Sequence, residues 1–202
     1  MCCRYYTDES PELRPIVEEM NRSPLTERFR RIGAAVREGG EIRPAEVAPA
    51  LATARSGRKA VFPMRWGYRA SPLLINARAE SAAEQPTFRE GWRAHRCALP
   101  ASGYYEWEHL SDVSGRRKTG TKYRFRAPDG GLLWLCGLYR LEEGLPHYVV
   151  LTREAGENIR FIHDRMPLIL PEALAEEWIR PEADPVRLLR EARTALCFEK
   201  EA

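Results

Sequence analysis

No apolar run in the chain approaches the roughly 20 residues that a membrane-spanning helix needs, and the N-terminus lacks a basic-then-apolar signal pattern. Cysteine is sparse and irregular. The five cysteines (2, 3, 97, 136 and 197) are odd in number and contain no C-x-x-C pair. That excludes a disulfide framework or a cysteine-based structural zinc site, and makes a reducing cytoplasm the expected location. Lysine is nearly missing, with 4 residues against 28 arginines, while the net charge is a modest +3. Arginine is the better bidentate partner for phosphate. A high-GC codon bias would inflate arginine equally, so composition alone does not establish nucleic-acid binding. There is no P-loop and no G-x-G-x-x-G; Gly39-Gly40 and Gly130-Gly131 read as turn glycines. Internal repeats and low-complexity segments are absent as well.

What remains is an ordinary globular composition. A hydrophobic share of 44% over 202 residues is enough for one real core, so residues 1–202 are expected to form a single domain. The first 40 residues read as helical. Ser10-Pro11 and Ser23-Pro24 are cap-plus-proline starts, and Phe29, Ile32 and Val36 recur at helical spacing over Thr26–Arg37. From Glu41 the texture changes to short apolar runs broken by Pro and Gly, which predict strands through Tyr68. A helix is expected over Pro86–His95. Strands are then expected at Gly103–Trp107, Lys122–Ala127, Leu132–Leu141 and His147–Thr152, with polar turns at Ser111–Thr121 and Glu142–Pro146. Helical character returns at Glu154–Ile162, Ala173–Ile179 and Pro185–Leu196. The order is not a strict β-α alternation. The expected fold is therefore α+β, with a curled, mostly antiparallel, barrel-like sheet and peripheral helices.

Four segments concentrate reactive groups. Met1-Cys2-Cys3-Arg4 places a cysteine directly behind the initiator methionine. If Met1 is removed, Cys2 offers an amine and a thiol on adjacent carbons, and an α-amine has a pKa of about 7.7–8.0. In Asn76-Ala77-Arg78, two-residue alternation delivers Asn76 and Arg78 on one side. Glu106 stands among Tyr104, Tyr105 and Trp107, a setting that raises a carboxyl pKa toward the general-acid range. His163 closes a helical stretch beside Arg165. Each also has a plain structural reading: Asn76 a turn cap, Arg78 a solvated cation, Glu106 the edge of a half-buried strand, His163 a helix C-terminal cation.

Taken together, the segments resemble the SOS response-associated peptidase (SRAP) family. The resemblance rests on Cys2 and Arg4, Trp66-Gly67, Asn76-Ala77-Arg78-Ala79-Glu80, Arg96-Cys97-x-x-Pro100, Gly103-Tyr104-Tyr105-Glu106-Trp107, Gly137-Leu138-Tyr139 and His163-Asp164-Arg165-Met166-Pro167. These run in the expected order over nearly the whole length. Cys3 departs from the pattern, since the family's commonest start has glycine there.

The resemblance implies a sensor of abasic sites in single-stranded DNA that crosslinks itself to the lesion, with removal of Met1 as its peptidase step. Cys2, Asn76, Glu106 and His163 are then the expected catalytic residues. Arg4, Arg78 and Arg165 are expected on the phosphates flanking the lesion, and Trp66 as a wedge or stacking platform for neighbouring bases. No cofactor, metal or membrane is expected, and the unit is expected to be a monomer that reaches the nucleoid only on damaged DNA. Two rival readings stay open: an N-terminal cysteine-nucleophile peptidase or amidase with His163 as base, and a non-catalytic binding module in which Cys2 is incidental.

Overall fold

The computed structural model describes residues 2–111 and 117–201. Among them are thirteen strands and five helices. The strands are β1 (Arg4–Thr7), β2 (Gly40–Ile42), β3 (Val47–Thr53), β4 (Lys59–Trp66), β5 (Asn76–Arg78), β6 (Arg96–Ala101), β7 (Gly103–Ser111), β8 (Arg117–Arg126), β9 (Leu133–Glu142), β10 (Leu145–Glu154), β11 (Arg165–Pro167), β12 (Ile169–Leu170) and β13 (Cys197–Lys200). The helices are α1 (Leu13–Arg22), α2 (Pro24–Arg31), α3 (Pro86–Ala94), α4 (Glu172–Trp178) and α5 (Pro185–Arg190).

Five strands close on themselves. β4 pairs with β3, β3 with β6, β6 with β9 and β9 with β10, all antiparallel, and β10 returns to β4 in parallel. Closure removes the free edges that an open sheet would expose. A second, five-stranded sheet runs β13-β8-β7-β1-β2. The expected α+β fold with a barrel-like, mostly antiparallel core is the fold observed, and β10 pairs in parallel with β4 and β5.

Both faces of the barrel wall are buried, which explains its near-continuous apolar runs. On β3, Ala48, Ala50 and Ala52 face one core and Leu51 another; on β10, Tyr148 and Val150 alternate with Val149 and Leu151 in the same way. The first core joins one face of all five barrel strands to residues of the second sheet and includes Cys2, Tyr5, Trp66 and Tyr104. The second lies under the helices, with Met20, Trp92, Trp134 and Trp178. Arg96 ties the helical side down: its buried guanidinium donates from Nε to the Trp178 carbonyl at 2.7 Å and from Nη1 to the Trp92 carbonyl.

Local signals account for most elements. Ser23 caps α2, its hydroxyl accepting from Leu25 N at 3.3 Å, with Pro24 in the first turn. Glu143 and Gly144, both at positive φ, form the tight turn between β9 and β10. Five expectations need correction. Residues 4–7 are not helical but a strand, because Tyr5 and Tyr6 are held between β2 and β7. The helix expected to reach Arg37 stops at Arg31, where Gly33 turns left-handed at φ +72°. Residues 154–162 form turns, not a helix, and the last helix ends at Arg190 so that Cys197–Lys200 pairs with β8. The expected polar turn at Ser111–Thr121 is mostly strand in its described part, since β8 starts at Arg117; residues 112–116 lie outside the described residues.

Candidate functional site

β1 brings the N-terminus into the second sheet, between β7 and the edge strand β2. It runs antiparallel to β7 with Arg4 opposite Tyr105, so the chain ahead of Arg4 runs beside Glu106 and Trp107. Cys2 is fully buried, and its thiol donates weakly to the Arg4 carbonyl at 3.8 Å. Burial first, and then the Glu106 carboxyl, push that thiol well above its ordinary pKa. Both effects favour the protonated thiol. Cys3, half-buried, is raised for the same two reasons. Met1, and with it the expected removal of Met1, lies outside the described residues.

Asn76 comes from β5, laid parallel on β10 with Asn76 opposite Val150. Its Nδ2 donates to the Cys2 carbonyl at 2.8 Å, so the amide fixes the backbone of the cysteine itself. Glu106 is 3% exposed on β7, and its Oε1 accepts from Trp107 N at 3.3 Å. Desolvation raises its carboxyl pKa, as its aromatic neighbours foretold.

His163 arrives from the turn after Ile162, not from a helix end. It is 5% exposed, and burial, reinforced by His109, lowers its pKa to about 4. Its Nδ1 lies 2.8 Å from Arg165 N and 3.0 Å from Asp164 Oδ1. A backbone N–H can only donate, so Nδ1 is the acceptor and the neutral ring carries its proton on Nε2. The exposed Asp164 oxygen is then a neighbour rather than an ion-pair partner.

Three of the four expected cationic or aromatic DNA contacts differ from a bare binding surface. Arg4 Nη1 is 2.6 Å from Glu41 Oε1, and its guanidinium lies over the Trp107 ring. Arg165 grips Glu80 with both terminal nitrogens at 2.8 Å and also donates to the Thr152 carbonyl at 2.7 Å. That guanidinium joins β11 to the loop after β5, so Arg165, expected on a phosphate, is engaged by Glu80 and Thr152 in this structure. Arg78 is exposed, with no side-chain hydrogen bond or ion pair among the described residues. Trp66 requires the plainest correction. It is 0% exposed, its Nε1 donates to the Ile75 carbonyl at 2.8 Å, and its ring lies between Tyr5 and Tyr148. A ring so enclosed cannot stack on bases; its hydrogen bond to Ile75 holds the strand leading to Asn76.

His109 was missed in the sequence. The register of β7 against β8 shifts between Trp107 and His109, a bulge of the kind that re-aims side chains beside sites. His109 N donates to the Ile162 carbonyl at 3.0 Å, and the His109 and His163 rings lie 3.9 Å apart between centroids. No spacing rule links residues so distant in the chain. Size does not mark the site either: a cleft of about 580 Å³ between the β3–β4 turn and Ile179–Glu182 holds no cysteine or histidine.

The family profile described as "SOS response associated peptidase (SRAP)" matches residues 1–198. Curated relatives include the abasic site processing protein YoqW of Bacillus subtilis, 37% identical over 118 residues that make up 55% of this chain and 50% of the relative. The abasic site processing protein YedK of Escherichia coli is 31% identical over 128 residues, 59% of this chain and 55% of the relative. The aligned part thus spans about half the length of these relatives. Among solved structures, a phage-related protein of Bordetella bronchiseptica superposes with a TM-score of 0.71 at 24% identity, covering 99% of this chain and 94% of the other. A Bacteroides thetaiotaomicron protein gives a TM-score of 0.73 at 18% identity, covering 98% and 91%. These two share the fold.

Proposed function

The chain belongs to the SOS response associated peptidase family, and from that premise we propose that it recognises abasic sites in single-stranded DNA and links itself to them through Cys2. The observation that carries this reading is the meeting of Cys2 with Asn76 and Glu106 in one buried place. Asn76 holds the Cys2 backbone, and the Glu106 carboxyl acts electrostatically on the Cys2 thiol. The relatives' printed role in abasic-site processing supports it.

Chemistry follows from the groups. The abasic deoxyribose opens to an aldehyde at C1′. Once Met1 is gone, the Cys2 amine adds to C1′, giving a carbinolamine. Loss of one water leaves an imine. The Cys2 thiol then adds to the same carbon, its proton passing to the imine nitrogen, and a thiazolidine ring closes. The net change is one new C–N bond, one new C–S bond and one water released. Closure is intramolecular, so its entropic cost is small. Only an N-terminal cysteine has both nucleophiles.

Glu106, protonated more readily than an ordinary carboxyl, is suited to give a proton to the departing water and take one back. His163, whose neutral ring carries its proton on Nε2, is suited to donate to the sugar oxygen during opening. Arg78, and Arg4 at the rim with Glu41, are suited to the phosphates beside the lesion. Removal of Met1 is the step that arms the site.

The test is a denaturing gel. Protein confirmed to begin at Cys2 is mixed with an oligonucleotide carrying one abasic site, and a heat-stable shifted band is expected. Cys2→Ala must abolish it. A missing band from correctly processed protein overturns the proposal, whereas amide turnover retained by Cys2→Ser would favour the hydrolase reading.

A further inference from the structure

With Trp66 enclosed, the flat surface expected beside the site has to lie elsewhere. An abasic nucleotide has no base of its own, so a grip on the strand around it comes from phosphates and from the neighbouring bases. One patch offers those bases a place. Phe161 is 58% exposed and Phe198 37% exposed, and among the described residues they are the two aromatic side chains left open to solvent. Their rings meet with centroids 5.7 Å apart at 62°. Tyr123 touches both, at 6.2 Å and 6.0 Å, and Phe198 also packs on Phe125 at 5.8 Å.

Strand register puts this cluster on the face of the second sheet that carries Glu106. Glu106 stands opposite Tyr123, and Tyr123 opposite Lys200. Two residues along, Tyr104 stands opposite Phe125, and Phe125 opposite Phe198. Residues directly opposite across strands share a face, so one row runs from buried Tyr104 and Glu106 out to exposed Phe198 and Lys200. Two strand spacings of about 4.8 Å separate β7 from β13, which sets Phe198 about 10 Å outward of the β7 row. Stacked nucleotides rise about 3.4 Å each along a strand, so that distance is within about three nucleotides of the lesion. Phe161 joins the row from the turn that also carries His163.

We infer that Phe161 and Phe198 form a stacking subsite for a nucleobase flanking the lesion, with Lys200 beside it for a phosphate. The identity of the strand rests on the function proposed above. Continuity and charge select this occupant. The patch connects to Glu106 through Tyr123, so a strand entering the site runs past it. Lys200 is exposed and makes no ion pair among the described residues, while the acidic neighbour Glu199 alternates to the opposite face, toward Arg126. Every base has a π-face, so such a platform holds a strand without reading its sequence, which suits recognition of a lesion in any context.

The experiment uses full-length protein that begins at Cys2. Affinity for single-stranded oligonucleotides is read by fluorescence anisotropy, and adduct rate on a strand with one abasic site by denaturing gel. Phe161→Ala should weaken affinity about 5- to 150-fold, the range for losing one stacked base, and raise the DNA concentration for half-maximal adduct rate by the same factor. Phe161→Leu, apolar but not flat, should behave like the alanine variant, and Phe161→Trp should keep the wild-type affinity. Phe198→Ala repeats the test from the other ring, with thermal melts to confirm that each variant folds. On a strand whose flanking nucleotides are replaced by base-free tetrahydrofuran spacers, wild type and Phe161→Ala should bind alike. Affinity unchanged by Phe161→Ala, or a loss that persists on the spacer strand, overturns the subsite, and an adduct formed in the same samples leaves the crosslinking reading standing. Base-dependent binding through Phe161 with no adduct supports the subsite and overturns the crosslinking reading. Neither binding nor adduct overturns both.

Discussion

The Asn76 side-chain amide donates to the Cys2 carbonyl at 2.8 Å across 74 residues of sequence. This contact ties the N-terminus to the barrel, because β5 is itself laid on β10. Removing it with Asn76→Ala should cost about 0.5–1.5 kcal/mol of stability, the ordinary net value of one hydrogen bond. The effect on adduct formation should be larger, on the order of 100-fold, since a displacement of about 1 Å at a reacting group has that consequence. Thermal melts alongside single-turnover gel assays separate the two effects.

Glu106→Gln keeps the shape and removes the titrating proton. Adduct formation should slow by about 100- to 10,000-fold, the usual range for loss of a general acid–base group. The melting temperature should change little, or rise, because burial disfavours the charged form of Glu106. A slow variant with a lowered melting temperature would count against the assigned role.

Arg78 and Arg165 should part company. Arg78→Ala is expected to weaken binding to single-stranded DNA evenly across sequences and to lower the salt slope by about one. Arg165→Ala should instead destabilise the fold, because it breaks the paired contact with Glu80 and the bond to Thr152. With Glu80 half exposed, the ion pair itself contributes no more than about 1 kcal/mol. Fluorescence anisotropy over a salt series, compared with melting curves, distinguishes the two.

Trp66→Ala should cost about 3–5 kcal/mol, the range for emptying a large aromatic from a core. If Trp66 stacked on bases instead, DNA affinity would fall while stability held. Denaturant unfolding read beside DNA binding decides the matter.

Acid should loosen the sheet at Glu41. Burial pushes its carboxyl up, but hydrogen bonds from Arg43 and Arg4 outweigh that and hold it below the usual range. A depressed folded-state value means that the contribution is complete above the unfolded value of about 4.3 and is lost as pH falls through the folded value. Glu41→Gln should therefore flatten the acid limb of a stability–pH profile, measured by thermal melts.

Much of this arrangement was legible in the chain. Short apolar runs broken by proline and glycine marked the barrel strands, Ser23-Pro24 marked a helix start, and the aromatic setting of Glu106 announced a raised carboxyl. What escaped was whatever depends on partners far away in sequence. Residues 4–7 read as part of a helical stretch until β2 and β7 flank them. Trp66 reads as a surface aromatic beside Gly67, yet Tyr5 and Tyr148 enclose it. Arg165 carries no mark of its pairing with Glu80, and His109 gains significance only through a register shift.

β10 pairs along one segment with β5, Thr152 standing opposite Arg78, and with β11, Thr152 standing opposite Pro167. The strand thereby acts as a common ruler for two segments that lie far apart in the chain. The spacing between Asn76 and His163 is inherited from that ruler and does not depend on the length of the connections feeding them. Relatives are therefore free to lengthen or rewrite those connections while the reacting groups keep their distances, and a single misregistered residue in β10 would disturb both at once.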